Sequence, residues 1–281
     1  MKKGLIKKVV ASALLGIMTM GLVGCGSADN TSSKETKDLL ETIQEKGKVV
    51  VGMSADYAPY EFHYIDENGK DVIGGFDVDI ANEIEDAIGV ELVIQEMDFD
   101  ALVTALPAGK VDLVISGMNP TEERAKVVDF SEVYYNSQHG ILVRAEDVDK
   151  YKTFADLEGA KVGAQLGSTQ EQIAKNEIPN ADLQLLANVN NLILELKSGK
   201  VDAIIMEKPV AQMAVKSNPE LAVGEPTYEE ESGGNAVGIA KNNPELLAKV
   251  NEVIKELNET GKMDEYIVKA NELAGSVKIV E

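Results

Sequence analysis

The chain has 281 residues, 44% hydrophobic and 27% charged, the balance of an ordinary water-soluble fold with room for two domains. It carries 27 Lys and Arg against 48 Asp and Glu, a formal net charge of −21. Such a surface repels phosphate backbones and anionic lipid, so nucleic acid is excluded as a partner.

The first segment is a targeting signal. Lys2, Lys3, Lys7 and Lys8 make a basic start, and an apolar run over 9–23 follows. Its 15 residues fall short of the about 20 that cross a bilayer. The run ends in Leu22-Val23-Gly24-Cys25, and Cys25 is the chain's one cysteine. This ending resembles a bacterial lipobox, which implies a signal peptide over 1–24 and a diacylated Cys25 that holds the mature chain to the outer face of the cell membrane. The alternative is a signal-anchor with an incidental cysteine. Residues 25–40 are expected to form a flexible tether, since 26–36 are small and polar and bury no apolar surface.

Beyond the tether, strands and helices alternate. The run 48–53 is a short β-branched strand, and 66–70 is a hairpin turn. Asp77 is expected to cap a helix whose Ile80, Ile84, Ala87 and Ile88 recur at helical spacing, with Gly89 ending it. A strand over 91–96, a helix over 99–106 and a buried strand over 111–116 follow. This is the βαβ pattern of a parallel sheet.

The pattern then repeats. Leu106-Pro-Ala-Gly-Lys-Val-Asp112 and Leu196-Lys-Ser-Gly-Lys-Val-Asp202 stand 90 residues apart, and Leu102 and Val103 fall on Leu192 and Ile193. A second echo pairs the strand before Ser54 with 160–166, at a different offset, so the repeat is two similar lobes and not a solenoid. Lobe one is expected over 41–137, lobe two over 138–231, and 232–281 returns to complete lobe one, with helices over 244–260 and 262–274. Two crossovers between lobes make a hinge.

Between strand and helix lies Ser116-Gly-Met-Asn119-Pro120-Thr121-Glu-Glu-Arg124. Pro120 or Thr121 suits a first helical position, which leaves free N–H groups for an anion with Arg124 one turn in. A free α-amino acid needs a bidentate guanidinium and N–H donors for its carboxylate, and an acid with carbonyl oxygens for its ammonium. The bland alternative for Arg124 is an exposed counter-charge to Glu122 and Glu123.

Several motifs occur in order: Gly74-Gly-Phe-Asp77-Val-Asp-Ile-Ala81, Gly109-Lys-Val-Asp112-Leu-Val, Thr121-Glu-Glu-Arg124, Asp129-Phe-Ser131, Asp156-Leu-Glu-Gly159 and Gly167-Ser-Thr169. Together they resemble the bacterial extracellular solute-binding proteins of family 3, the polar amino-acid receptors that feed ABC importers. The likeness runs over about 45–275. It implies an α/β, two-lobed periplasmic-binding-protein-like fold of type II, each lobe a mostly parallel sheet flanked by helices, joined by two crossover strands. It further implies an exported monomer, without cofactor or catalytic residues, that closes on a free amino acid and hands it to the permease subunits of an ABC transporter.

Position by position, the resemblance makes Arg124 the carboxylate-binding arginine, with Asn119 beside it and Ser168 and Thr169 as donors from lobe two. Gly117 would offer its carbonyl to the ammonium, and Glu207, where the family commonly has Asp, its charge. Tyr57 and Phe99 would wall the side-chain pocket, Glu61 would close its far end, and Gln165 would line it from lobe two. Ser54 stands where several basic- and glutamine-binding members carry Asp. A polar ligand is expected, Arg or Lys first and Gln or His second. Other signals fail: Asp77-x-Asp79 has Asn82 and Ile88 where a calcium loop needs Gly and Glu, and His63 and His139 without a spare cysteine cannot make a zinc site. The runners-up are a dehydratase-like enzyme on the same scaffold, with Glu61 or Glu207 as acid, and a sensory or adhesive lipoprotein.

Overall fold

The structure, a computed structural model, describes residues 37–136, 138–229, 231–277 and 279–280. The signal segment, Cys25 and tether residues 26–36 lie outside the described residues.

In chain order the first elements are α1 (Leu39–Lys46), β1 (Lys48–Met53), β2 (Asp56–Tyr57), β3 (Glu61–Ile65), β4 (Asp71–Gly74), α2 (Phe76–Ile88) and β5 (Glu91–Glu96). Then come α3 (Phe99–Ala105), β6 (Leu113–Val114), β7 (Val128–Tyr135), β8 (Gln138–Arg144), β9 (Lys161–Gln165), α4 (Thr169–Glu177) and β10 (Asp182–Leu186). The last are α5 (Val189–Lys197), β11 (Ala203–Glu207), α6 (Lys208–Ser217), β12 (Leu221–Glu229), β13 (Asn235–Ala240), α7 (Pro244–Thr260) and α8 (Lys262–Ser276).

Two five-stranded sheets result, in the orders β5-β1-β6-β13-β7 and β10-β9-β11-β8-β12. In each, three strands pair in parallel and one runs against its two neighbours. That reversed strand, β13 in one sheet and β8 in the other, is the strand by which the chain enters from the other sheet. The orders are otherwise equivalent, as the internal repeat requires.

The repeat has a physical cause. Asp112 Oδ2 accepts the Val50 N–H at 2.9 Å while the Asp112 N–H donates to Val50 O at 2.8 Å. Asp202 does the same to Lys161, at 3.0 and 2.7 Å. Each Asp clamps its strand to the neighbouring parallel strand, and the glycine three residues earlier turns the preceding helix out. Val111 and Val201 are buried behind the clamps.

Apolar spacing builds the rest. Ile80, Ile84 and Ile88 of α2 meet Leu246, Val250, Ile254 and Leu257 of α7 against Val49, Val51 and Ile239. Under the second sheet, Val162, Ile173, Ala174, Ile205 and Val143 form a separate core.

Three expectations change. The folded body begins earlier than residue 41: Asp38 caps α1 through Leu40 N–H at 2.9 Å and also accepts Glu245 N–H at 3.0 Å at the start of α7. One carboxylate serving two helix N-termini ties the tether's end down. Asp77 does not cap α2; Gly75 stands at that position without a side-chain bond, and Asp77 is buried. Third, 116–124 does not enter an α-helix, since only the 3₁₀ turn Arg124–Lys126 follows before β7. The crossovers run close together: Gly234, at φ +142°, would place a Cβ 2.1 Å from Tyr135 O, so only glycine fits there.

Candidate functional site

The loops at the strand ends of the two sheets face each other and are bonded across. Thr169 Oγ1 donates to Asn119 Oδ1 at 2.8 Å, and Asn119 Nδ2 donates to Gly234 O at 3.0 Å. Arg124 is half-buried. Its Nη1 donates to Asn119 O at 2.8 Å, its Nη2 to Gly167 O at 3.0 Å, and its guanidinium lies 5.3 Å from the Phe99 ring centre. A hollow lined by Phe99, Thr121, Arg124, Gly167, Thr169 and Gln172 opens here. The guanidinium is thus placed by backbone carbonyls from both sheets and not by the helix N-terminus that the sequence suggested.

Deeper in, Gly117 O and Glu207 Oε1 converge on one donor, the Asn235 amide, at 2.7 and 3.0 Å. Glu207 Oε2 accepts from the Tyr60 hydroxyl. Tyr57 OH accepts from Glu207 N–H at 3.0 Å and Gln170 Nε2 at 3.1 Å, so the ring is anchored across the interface. Its phenol is pushed well up by burial and by the charge of Glu207.

The small sheet β2-β3-β4 delivers Asp56 and Glu61. Asp56 Oδ2 accepts Val189 N–H at 2.6 Å, the first residue of α5, and Gln165 Nε2 reaches Oδ1 at 3.4 Å. Ser54 Oγ also faces that oxygen, at 3.3 Å. Burial pushes the Asp56 carboxyl up to about 6, partly offset by the Val189 N–H. Glu61, fully buried, accepts from Ser116 Oγ, which in turn accepts Ser54 N–H at 3.0 Å. Asp77 Oδ2 accepts Gly117 N–H at 2.8 Å and the Tyr134 hydroxyl at 3.0 Å. Both carboxyls are raised, Glu61 by burial and then by the charge of Asp77, and Asp77 chiefly by burial.

Of the residues singled out by sequence, Arg124, Asn119, Thr169 and Phe99 meet at the mouth, and Gly117, Glu207 and Tyr57 meet in the interior. Ser54, Glu61 and Gln165 group around Asp56 and Ser116. Ser168 is engaged otherwise: its hydroxyl caps α4 through Glu171 N–H at 3.2 Å and donates to Gln165 O at 2.7 Å, which leaves Thr169 as the outward donor. Sequence reading missed Asp56, Tyr60, Asp77, Gln170 and Asn235. Asp56 lies two residues after Ser54 and was the one within reach of that reasoning. Among the described residues no group of His, Cys, Asp and Glu is arranged to hold a metal ion, and no helix is long and apolar enough to cross a membrane.

The raised carboxyls make stability depend on pH. An acid that binds its proton more tightly folded than unfolded adds stability below its unfolded pKa and loses it as pH rises through the folded value. For Asp56, moved from 3.8 to about 6, the loss is about 3 kcal/mol between about pH 4 and about pH 7. The melting temperature of the ligand-free protein is therefore expected to fall as pH rises across this window, as scanning calorimetry will show. A rise would contradict the assignment.

Two sheets of matched topology, crossed twice by the chain and closed on a polar, acid-rich interface, define a two-lobed solute-binding protein. Residues 49–270 match the family described as bacterial extracellular solute-binding proteins, family 3, and the chain belongs to it. It is accordingly an exported protein. The arginine-binding extracellular protein ArtP of Bacillus subtilis is 36% identical, over 94% of this chain and 96% of that one. A probable histidine-binding protein of Campylobacter jejuni is 34% identical, over 94% and 98%. The solved structure of AbpA, an amino acid ABC transporter substrate-binding protein from Streptococcus pneumoniae bound to L-arginine, superimposes with TM-score 0.82 at 41% identity, covering 85% of this chain and all of that one. These relatives are named as binding proteins, not enzymes.

Proposed function

We propose that this chain captures a free cationic amino acid, L-arginine or L-lysine, between its two lobes and delivers it to the permease of an ABC importer. One observation carries the reading. Four buried carboxyls, Asp56, Glu61, Asp77 and Glu207, lie among the facing loops of the two sheets, and the half-buried Arg124 lines a hollow at their edge. An α-carboxylate suits the arginine, and a net-negative interior suits a second positive charge.

In this reading Arg124, Asn119 and Thr169 take the ligand's carboxylate. Its ammonium replaces the Asn235 amide between Gly117 O and Glu207. The side chain lies along Tyr57 toward Glu61, with Ser54 and Gln165 beside it. The lobes, 38–137 with 232–281 and 138–231, open about the two crossovers. Lipidated Cys25 holds the monomer at the outer membrane face near its permease. Arginine-binding relatives support the ligand class, and the histidine-named relative marks where specificity varies within the family.

A thermal-shift screen of the purified protein against the common amino acids tests this. A bound ligand at about a hundred times its dissociation constant adds about 2.7 kcal/mol, a shift of several degrees. Arginine or lysine should give the largest shift. No shift with any amino acid would refute the reading.

A further inference from the structure

Glu61 and Asp77 are the buried acids whose packing asks for something the fold does not supply. Asp77 Oδ2 is held by the Gly117 N–H and the Tyr134 hydroxyl, and Glu61 Oε1 by the Ser116 hydroxyl. Their other oxygens, Asp77 Oδ1 and Glu61 Oε2, are fully enclosed and accept from no donor. The two carboxyls are neighbours, held on the adjacent residues Ser116 and Gly117, and each acts directly on the other's titration. Two carboxylates cannot donate to one another, and two like charges buried in contact repel strongly. A single proton between them satisfies both orphan oxygens and removes the repulsion.

The charged groups facing the pair add to the demand for that proton. From β2 comes Asp56, from β11 Glu207, from β7 the Tyr134 phenol and from β2 the Tyr57 phenol. None of these is cationic. Burial raises both acids, in agreement with the geometry.

We propose that Glu61 and Asp77 share one proton in the empty protein, and that a cationic ligand side chain arriving beside Glu61 expels it to solvent, so that capture of the ligand releases a proton. The inference rests on the reading of the cleft as a receptor for cationic amino acids. Asp77 is then a positioning residue with two duties. It fixes the Gly117 loop, and it stores Glu61 as a neutral acid until a positive charge replaces the proton. A neutral ligand leaves the proton in place.

Calorimetric titration of L-arginine into the protein at about pH 7, in phosphate, HEPES and Tris, reads this directly, because the observed enthalpy varies with the buffer's ionisation enthalpy in proportion to the protons exchanged. About one proton released per arginine is expected, and about none for L-glutamine or L-citrulline. The affinity for arginine should rise up to about tenfold per pH unit while the pair is protonated. In Asp77→Asn the amide donates permanently to Glu61, and the release should fall toward zero. Arginine binding with an enthalpy independent of buffer would overturn the shared proton while leaving the receptor reading intact, as would undiminished release in Asp77→Asn. Failure of every amino acid to bind would overturn both.

Discussion

Arg124→Ala lowers the affinity for L-arginine by about 30-fold to several thousand-fold, which is about 2–5 kcal/mol. The reason lies in what surrounds the position. The guanidinium is held by Asn119 O and Gly167 O and lies against Phe99, so its direction is set before any ligand arrives. Without Arg124 the α-carboxylate keeps the neutral donors of Asn119 and Thr169 but loses its cationic partner, in an interface rich in buried acids. The same truncation removes a bond between the two sheets. Arg124→Lys keeps the charge but loses the planar fork, and an intermediate loss is expected. Calorimetry decides: a loss under about threefold for Arg124→Ala contradicts the assignment.

The second large effect is on stability. Gly75→Ala is expected to cost about 3 kcal/mol or more, or about 6–12 °C in melting temperature. Gly75 has φ +129°, a region closed to other residues, and a Cβ there would stand 1.9 Å from Tyr60 O and 2.9 Å from Pro59 O. Those carbonyls cannot retreat freely, because they accept the first N–H groups of α2: Phe76 N at 3.2 Å to Pro59 O and Asp77 N at 3.0 Å to Tyr60 O. Substitution must lift the 59–60 segment off the helix, and Tyr57, Tyr60 and Glu61 move with it. Arginine affinity should therefore fall along with the melting temperature. A variant as stable as the parent would show that the segment is looser than these distances imply.

The fold was largely legible because its signals are local. The Gly-Lys-Val-Asp repeat at an offset of 90 marks the same two-point strand clamp in each sheet, and the period of Ile80, Ile84 and Ile88 marks a helix face that is indeed buried. Two local signals misled. Thr121-Glu-Glu-Arg124 reads as a helix start, yet Val128 and the residues after it pair with β13, and strand pairing leaves room for one turn only. An Asp at a helix start is usually a cap, but Asp77 points into the interior, where Gly117 N–H and Tyr134 OH claim it. The candidate site was legible where the family's motifs carry it, at Arg124, Asn119, Gly117 and Thr169. Tyr60, Gln170 and Asn235 were not, since each matters through a partner more than 100 residues away or across the closed interface, and no spacing announces such a contact.

The most direct test is a crystal structure of the protein grown with L-arginine. The account predicts the ligand's carboxylate on Arg124 and Thr169, its ammonium between Gly117 O and Glu207 with Asn235 displaced, and its guanidinium against Glu61. Arginine bound elsewhere, or an Arg124 side chain turned to bulk solvent with the cleft empty, would contradict it.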